Sequence, residues 1–419
     1  LYNGWSSART NATRSITLSG DATIGGIGRW DLRGTTGATL AGNHFNLTKT
    51  GANEIWLADA GASGLGNVSI VQGTLGFEGS TTLGDTTARM TVYTNGTLAV
   101  SKTMDNTLVK DLVLNGGRIN SIAGFNSFSG AVTLIGSNNI AASSSLALRG
   151  AISGNGSVNI SGTGTVMLTA ANTYTGETRV TGGALEVYNA SALGSTAGGT
   201  IIGSGARLDV RGVNLGAEPI TVQGTGLGNA GAIVNTGAAQ NNALSFVTLS
   251  GATTFGGINR WDIRANPTGN LIGSGYALTK RGPNEVWLVD LGATGLGAIT
   301  VAEGLLGVQG TTTLGNSAST LTVNSTASVG IYATGTNTLV KSMALSGGRV
   351  YNASGVNTFA GTTTLTGSNR FEIASGTKLT MSGTLSGAGA LYKLGTGTLI
   401  LTGNNTITGL KQVAAGTLQ

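Results

Sequence analysis

The sequence predicts an all-β fold: a parallel β-helix, or β-solenoid, with coils of about 22 residues forming a single continuous rod. Three observations lead there. Apolar residues alternate with Thr, Ser and Asn in short runs, the period of a strand with one buried face. Glycine or asparagine closes nearly every run, with 72 glycines and only 3 prolines in 419 residues, so no stretch leaves room for a helix. The same phrases return at fixed intervals.

The clearest phrase is Gly162 to Val187, GTGTVMLTAANTYTGETRVTGGALEV. Val166, Leu168, Val180, Leu185 and Val187 fall on one side of their strands, and Thr165, Met167, Thr169, Thr181 and Glu186 on the other. It returns at Gly395 to Gln419 as GTGTLILTGNNTITGLKQVAAGTLQ. A shorter anchor of glycine, any residue and an aliphatic recurs at Gly73, Gly96 and Gly117. A unit of that size cannot bury a core alone and must stack on its neighbours. About nineteen such coils, each rising by one inter-strand spacing, give a rod on the order of 90 Å.

A longer repeat overlies the short one. GGIGRWDLR at Gly25 to Arg33 returns as GGINRWDIR at Gly256 to Arg264, so that Trp261 answers Trp30. The same offset brings LTKTGANEIWLAD at Leu47 to Asp59 back as LTKRGPNEVWLVD at Leu278 to Asp290, and NTLVK at Asn106 back at Asn337. Two modules follow, 1–231 and an incomplete 232–419. The chain opens and closes in mid-coil, which suggests a slice of a longer array and, through its unpaired ends, self-association by end-to-end stacking.

Composition narrows the functions. Charged residues are 10% of the chain, well below the ordinary quarter. The 23 lysines and arginines are scattered, with none of the basic clusters that bind nucleic acid. No apolar run reaches the ~20 residues of a membrane span. With no cysteine and one histidine, His44, neither a disulfide framework nor a zinc site is expected, and no metal or other cofactor is assigned. GGIGRWD has one residue too many before its Asp for a calcium nonapeptide.

The phrases at Gly162 and Gly395 resemble the passenger-associated transport repeat, also called the autotransporter-associated β-strand repeat. Lys393, Gly395, Gly397, Leu399, Leu401, Gly403, Asn405, Gly409, Val413, Gly416 and Leu418 follow its pattern, with Ile407 in the tyrosine place. A degenerate copy is Lys49, Gly51, Ile55, Leu57, Gly66, Val68, Gly73 and Leu75. The resemblance implies a secreted or surface-displayed β-helical passenger of Gram-negative type, structural or adhesive, and no enzyme. A homopolymeric filament subunit and a carbohydrate-binding or carbohydrate-active passenger are the alternatives. The translocating barrel of such proteins does not occur in this sequence.

Candidate binding residues stand where the copies depart from that pattern. Alignment on Leu399 and Leu401 turns Ile55 and Leu57 inward and Trp56, with its twin Trp287, outward. An outward indole either stacks on a surface glycan or a partner on another cell, or lies flat under a neighbouring segment. Trp30, Arg33, Trp261 and Arg264 in the two RWD phrases are the second group, either a ligand-binding ladder or a local Arg-Asp-Arg ion pair that sets strand register. Glu54 with Asp59, and Glu285 with Asp290, are the recurring acid pairs, but the members of each fall on opposite faces or around a corner, and no catalytic residue is assigned.

Overall fold

The computed structural model describes residues 1–33, 38–61, 63–83, 86–101, 106–315 and 317–419. They form two compact units, Leu1–Ile201 and Ile202–Gln419. Each is a parallel β-solenoid, and the helical content of the described residues is one short 3-10 turn, Leu227–Asn229.

In the first unit a coil is three strands separated by short corners, most of them holding glycine. Asp111–Asn115, Arg118–Ala123 and Phe125–Phe128 pair in parallel with Val132–Ile135, Ser137–Ala142 and Ser145–Leu148 of the next coil. Those pair in turn with Ile152–Gly154, Ser157–Gly162 and Thr165–Leu168. The three stacks are called here the first, second and third faces. Register steps from Leu112 to Val132 in this region, but takes the longer step from Ala22 to Leu47 in an earlier coil. The difference is taken up in the corners.

Alternation puts one buried aliphatic column behind each face. Ile119, Ile140 and Ile160 stack in register behind the second, and Leu146, Val166 and Leu185 behind the third. In the second unit Val286, Leu306, Val329, Val350 and Phe371 form the equivalent column, all fully buried. Each such side chain is worth about 1.5–3 kcal/mol when taken fully from water. That burial exists only because a coil covers its neighbours.

The corners hold a feature that composition hides. Lys49, Lys280 and Lys393 are fully buried, although charged side chains ordinarily stay in water. Each lies at or next to the end of its strand, facing inward, just before a glycine with positive φ: Gly51 at 76°, Gly282 at 81° and Gly395 at 74°. Such a corner aims carbonyls at the interior, where water cannot serve them. The Lys280 Nζ donates to the carbonyls of Arg281 (3.0 Å) and Gly282 (2.8 Å), and of Glu303 one coil on (3.2 Å). Lys49 grips Thr50, Gly51 and Gln72, and Lys393 grips Leu394, Gly395 and Ala415, in the same way. Burial pushes the Lys49 and Lys280 amines down to about 8. Lys110 and Lys341, also buried, bind corner carbonyls two coils back at Leu65 and Gly66, and at Leu296 and Gly297.

The lysine grip is testable. Lys280→Met keeps the aliphatic stem and strands three carbonyls, so unfolding free energy falls by about 1–3 kcal/mol. Lys378→Met, at an exposed position, changes it by less than about 0.5 kcal/mol. Urea titration followed by circular dichroism measures both.

Candidate functional site

The second face carries the RWD and EIWL phrases on successive coils. In the first unit Trp30–Arg33 pairs with Glu54–Ala58, which pairs with the C-terminal half of Val68–Glu78. Register sets Asp31, Trp56, Gly76 and Ala99 in one outward column. In the second unit the same column is Asp262, Trp287, Gly307 and Gly330.

The outward indoles are covered. Trp56 is 6% exposed and Trp287 7%, so neither presents a free ring face to a ligand. Each lies flat against the glycine of the following coil, so closely that a Cβ added to Gly76 would collide with the Trp56 ring, and one added to Gly307 with that of Trp287. From the preceding coil Arg29 stacks 5.4 Å from the Trp56 ring centre and Arg260 5.0 Å from that of Trp287, a cation–π contact. The indole N–H is taken by Glu54 at 3.2 Å and by Glu285 at 2.8 Å. Glycine below and arginine above supply the cover.

Asp31 and Asp262 lock this stack. Their side chains are fully buried, and a buried carboxylate must be paired. Arg29 binds Asp31 through two hydrogen bonds of 2.9 and 2.8 Å, and Arg260 binds Asp262 at 2.9 and 2.9 Å. These bonds to Asp31 hold the Arg29 guanidinium above its usual range. Arg33 approaches Asp31 at 3.5 Å and binds Glu78 at 3.0 and 2.5 Å, while Arg264 binds Asp262 at 2.8 Å and the Asn241 carbonyl at 2.8 Å. Trp30 and Trp261 instead point inward, 4% and 0% exposed, with their N–H groups on the carbonyls of Gly25 and Gly256. Both rings belong to the core. Asp59 and Asp290 lie at corners, accepting the N–H groups of Ser80 and Thr311, away from the indoles that Glu54 and Glu285 hold.

Beside the covered indole of the first unit the face opens into a groove of ≈ 350 Å³. Arg29, Glu54 and Trp56 line one side, Thr74, Glu78 and Ala99 the middle, and Ser101, Asn120 and Ile122 the other. Sequence reasoning missed it because its residues come from five coils. In the second unit Leu305 stands in the place of Thr74 and Tyr332 in that of Ser101. The Tyr332 ring meets Trp287 edge-on, with centres 6.5 Å apart, so a bulky side chain packs beside the indole there. Among the described residues no group of three or more His, Asp or Glu residues could hold a metal ion, and no helix is long and apolar enough to cross a membrane.

Stacked coils, gripped corners and a decorated outer face define a β-solenoid repeat protein. Residues 161–187 and 391–419 match the passenger-associated-transport-repeat family, one segment in each unit. The chain thus carries two passenger-associated transport repeats. The family residues serve stacking: Asn172 accepts the Ile152 N–H at 2.8 Å and donates to the Ala192 carbonyl at 2.6 Å, joining three coils. Asn405 accepts the Leu385 N–H in the same manner, and the buried Tyr174 hydroxyl bonds Thr178 at 2.6 Å. The chain is also similar to the adhesin BmaC autotransporter of Brucella suis biovar 1 (strain 1330), 29% identical over 341 residues, which is 78% of this chain. It spans only 9% of that relative's length. No solved structure matches.

The covered-indole arrangement predicts opposite outcomes for two glycines. Gly307→Val drives a side chain into the Trp287 ring, which shifts tryptophan emission to the red and destabilises the unit by about 1–3 kcal/mol. Gly330→Ala, whose Cβ meets its nearest neighbour at 3.4 Å, is tolerated, as Ala99 is at that place in the first unit. Emission spectra and thermal melts of the two variants decide it.

Proposed function

We propose that this chain is a segment of the surface-displayed passenger of an adhesin, a scaffold that holds its outer faces out for contact with another cell. The observation that carries this reading is the similarity to an autotransporter adhesin over 78% of the chain. A stack of parallel coils suits the role, since each coil adds outward side chains without altering the core beneath them. The matching location is the cell surface or the extracellular medium.

The role proposed is binding rather than catalysis. Glu54 and Glu285 are engaged by their indoles, and Asp59 and Asp290 cap corners, so each recurring acid has a contact within the scaffold. Function is then sought on the outer faces, where the two units differ.

Beads coated with the full chain test the adhesive reading on cultured mammalian cells. The expected result is saturable attachment, competed by soluble chain, well above that of beads coated with an unrelated β-solenoid of similar charge. Attachment no greater than that control contradicts it.

A further inference from the structure

The two units carry the same Asp–Arg–Trp stack, yet the second places Leu305 and Tyr332 where Thr74 and Ser101 line the groove of the first. At ≈ 350 Å³ the open groove lies within the range of small-ligand sites, about 300–1,000 Å³. It contains two carboxylates, one arginine, two hydroxyls and an amide, together with the apolar surface of Ile122.

We propose that this groove binds an uncharged sugar residue of a glycan chain. The proposal rests on the surface-binding reading above and gives it a ligand class. Acceptors are available because Glu54 Oε2 is used by the Trp56 N–H while the side chain remains about half exposed. Glu78 is fixed by Arg33 through both oxygens, and each oxygen keeps a second acceptor position. Donors are available too. Among the described residues no hydrogen bond engages the side chains of Thr74, Ser101 or Asn120, which all line the groove. Ile122, 40% exposed, supplies an apolar surface for the C–H face of a pyranose.

Charge selects the neutral ligand. Asp31, Glu54 and Glu78 outnumber Arg29 and Arg33, and both arginines are already committed to those carboxylates, so an anionic sugar would meet a net negative charge with no free guanidinium. Hydroxyl groups of a neutral hexose or N-acetylhexosamine donate to those carboxylates and accept from Asn120, Ser101 and Thr74.

The second unit provides the decisive variant. Thr74→Leu with Ser101→Tyr copies into the open groove the side chains that the second unit already carries at those places. Each protein is the full chain, probed with immobilised neutral oligosaccharides of glucose, galactose, mannose and their N-acetylhexosamines, and with sialylated and sulfated counterparts. The expected result is saturable binding of at least one neutral probe by the parent chain, stronger than binding of any anionic probe. The double variant keeps the parent circular dichroism spectrum and loses that binding by about tenfold or more, the loss of one to two ligand hydrogen bonds. Glu54→Gln, a change at a half-exposed side chain, weakens it in the same direction and covers the case in which the double variant misfolds. Preference for anionic probes, no saturable neutral binding, or unchanged binding in a folded double variant overturns the proposal. Bead attachment separates the two readings. Attachment that survives filling of the groove overturns this site and leaves the adhesive reading intact, whereas neutral-sugar binding without attachment supports the site and contradicts that reading.

Discussion

Parallel backbone pairing between one coil and the next is the constraint on which everything else in this structure depends. A single coil has too few side chains to close a core, so each becomes stable only as its neighbours cover it. Pairing fixes the rise per coil at roughly 4.8 Å, and at that spacing every side chain meets whatever stands one coil away in its column. An indole in such a column needs an unusually small neighbour. Gly76 and Gly307 provide it for Trp56 and Trp287, and the guanidinium of the coil before closes the stack. Corners obey the same constraint, since carbonyls turned inward by a left-handed glycine must find a donor inside, and buried lysines supply it.

The duplicated units separate what the scaffold requires from what it leaves free. Asp31 and Asp262, Trp56 and Trp287, and Lys49 and Lys280 occupy equivalent places and make equivalent contacts. These contacts hold coils together. Thr74 and Leu305, and Ser101 and Tyr332, also occupy equivalent places but differ in size and polarity. Those outward positions make no demand on the core, so they can change what the face presents without changing the fold.

Much of the fold was legible in the sequence, because alternation, glycine corners and the constant offset between the two RWD phrases are all linear signals. Ile55 and Leu57 turned inward, as their alignment with Leu399 and Leu401 required. Burial of Lys49, Lys280 and Lys393 was not read, since a charged residue is ordinarily assigned to the surface. The recurring lysine just ahead of a corner glycine was the available signal. Coverage of the outward indoles was hidden for a different reason. Gly76 belongs to the coil after that of Trp56, and their contact becomes apparent only once strand register is known. The groove is less legible still, because residues from Arg29 to Ile122 reach it through five coils with corners of unequal length.

A shared scaffold of stacked coils thus presents, in its first unit, the groove beside Trp56. Equilibrium dialysis of the full chain against a labelled neutral oligosaccharide tests that claim most directly, through the number of molecules bound at saturation. The account predicts one per chain, in the first unit. Two per chain, or none, would contradict it.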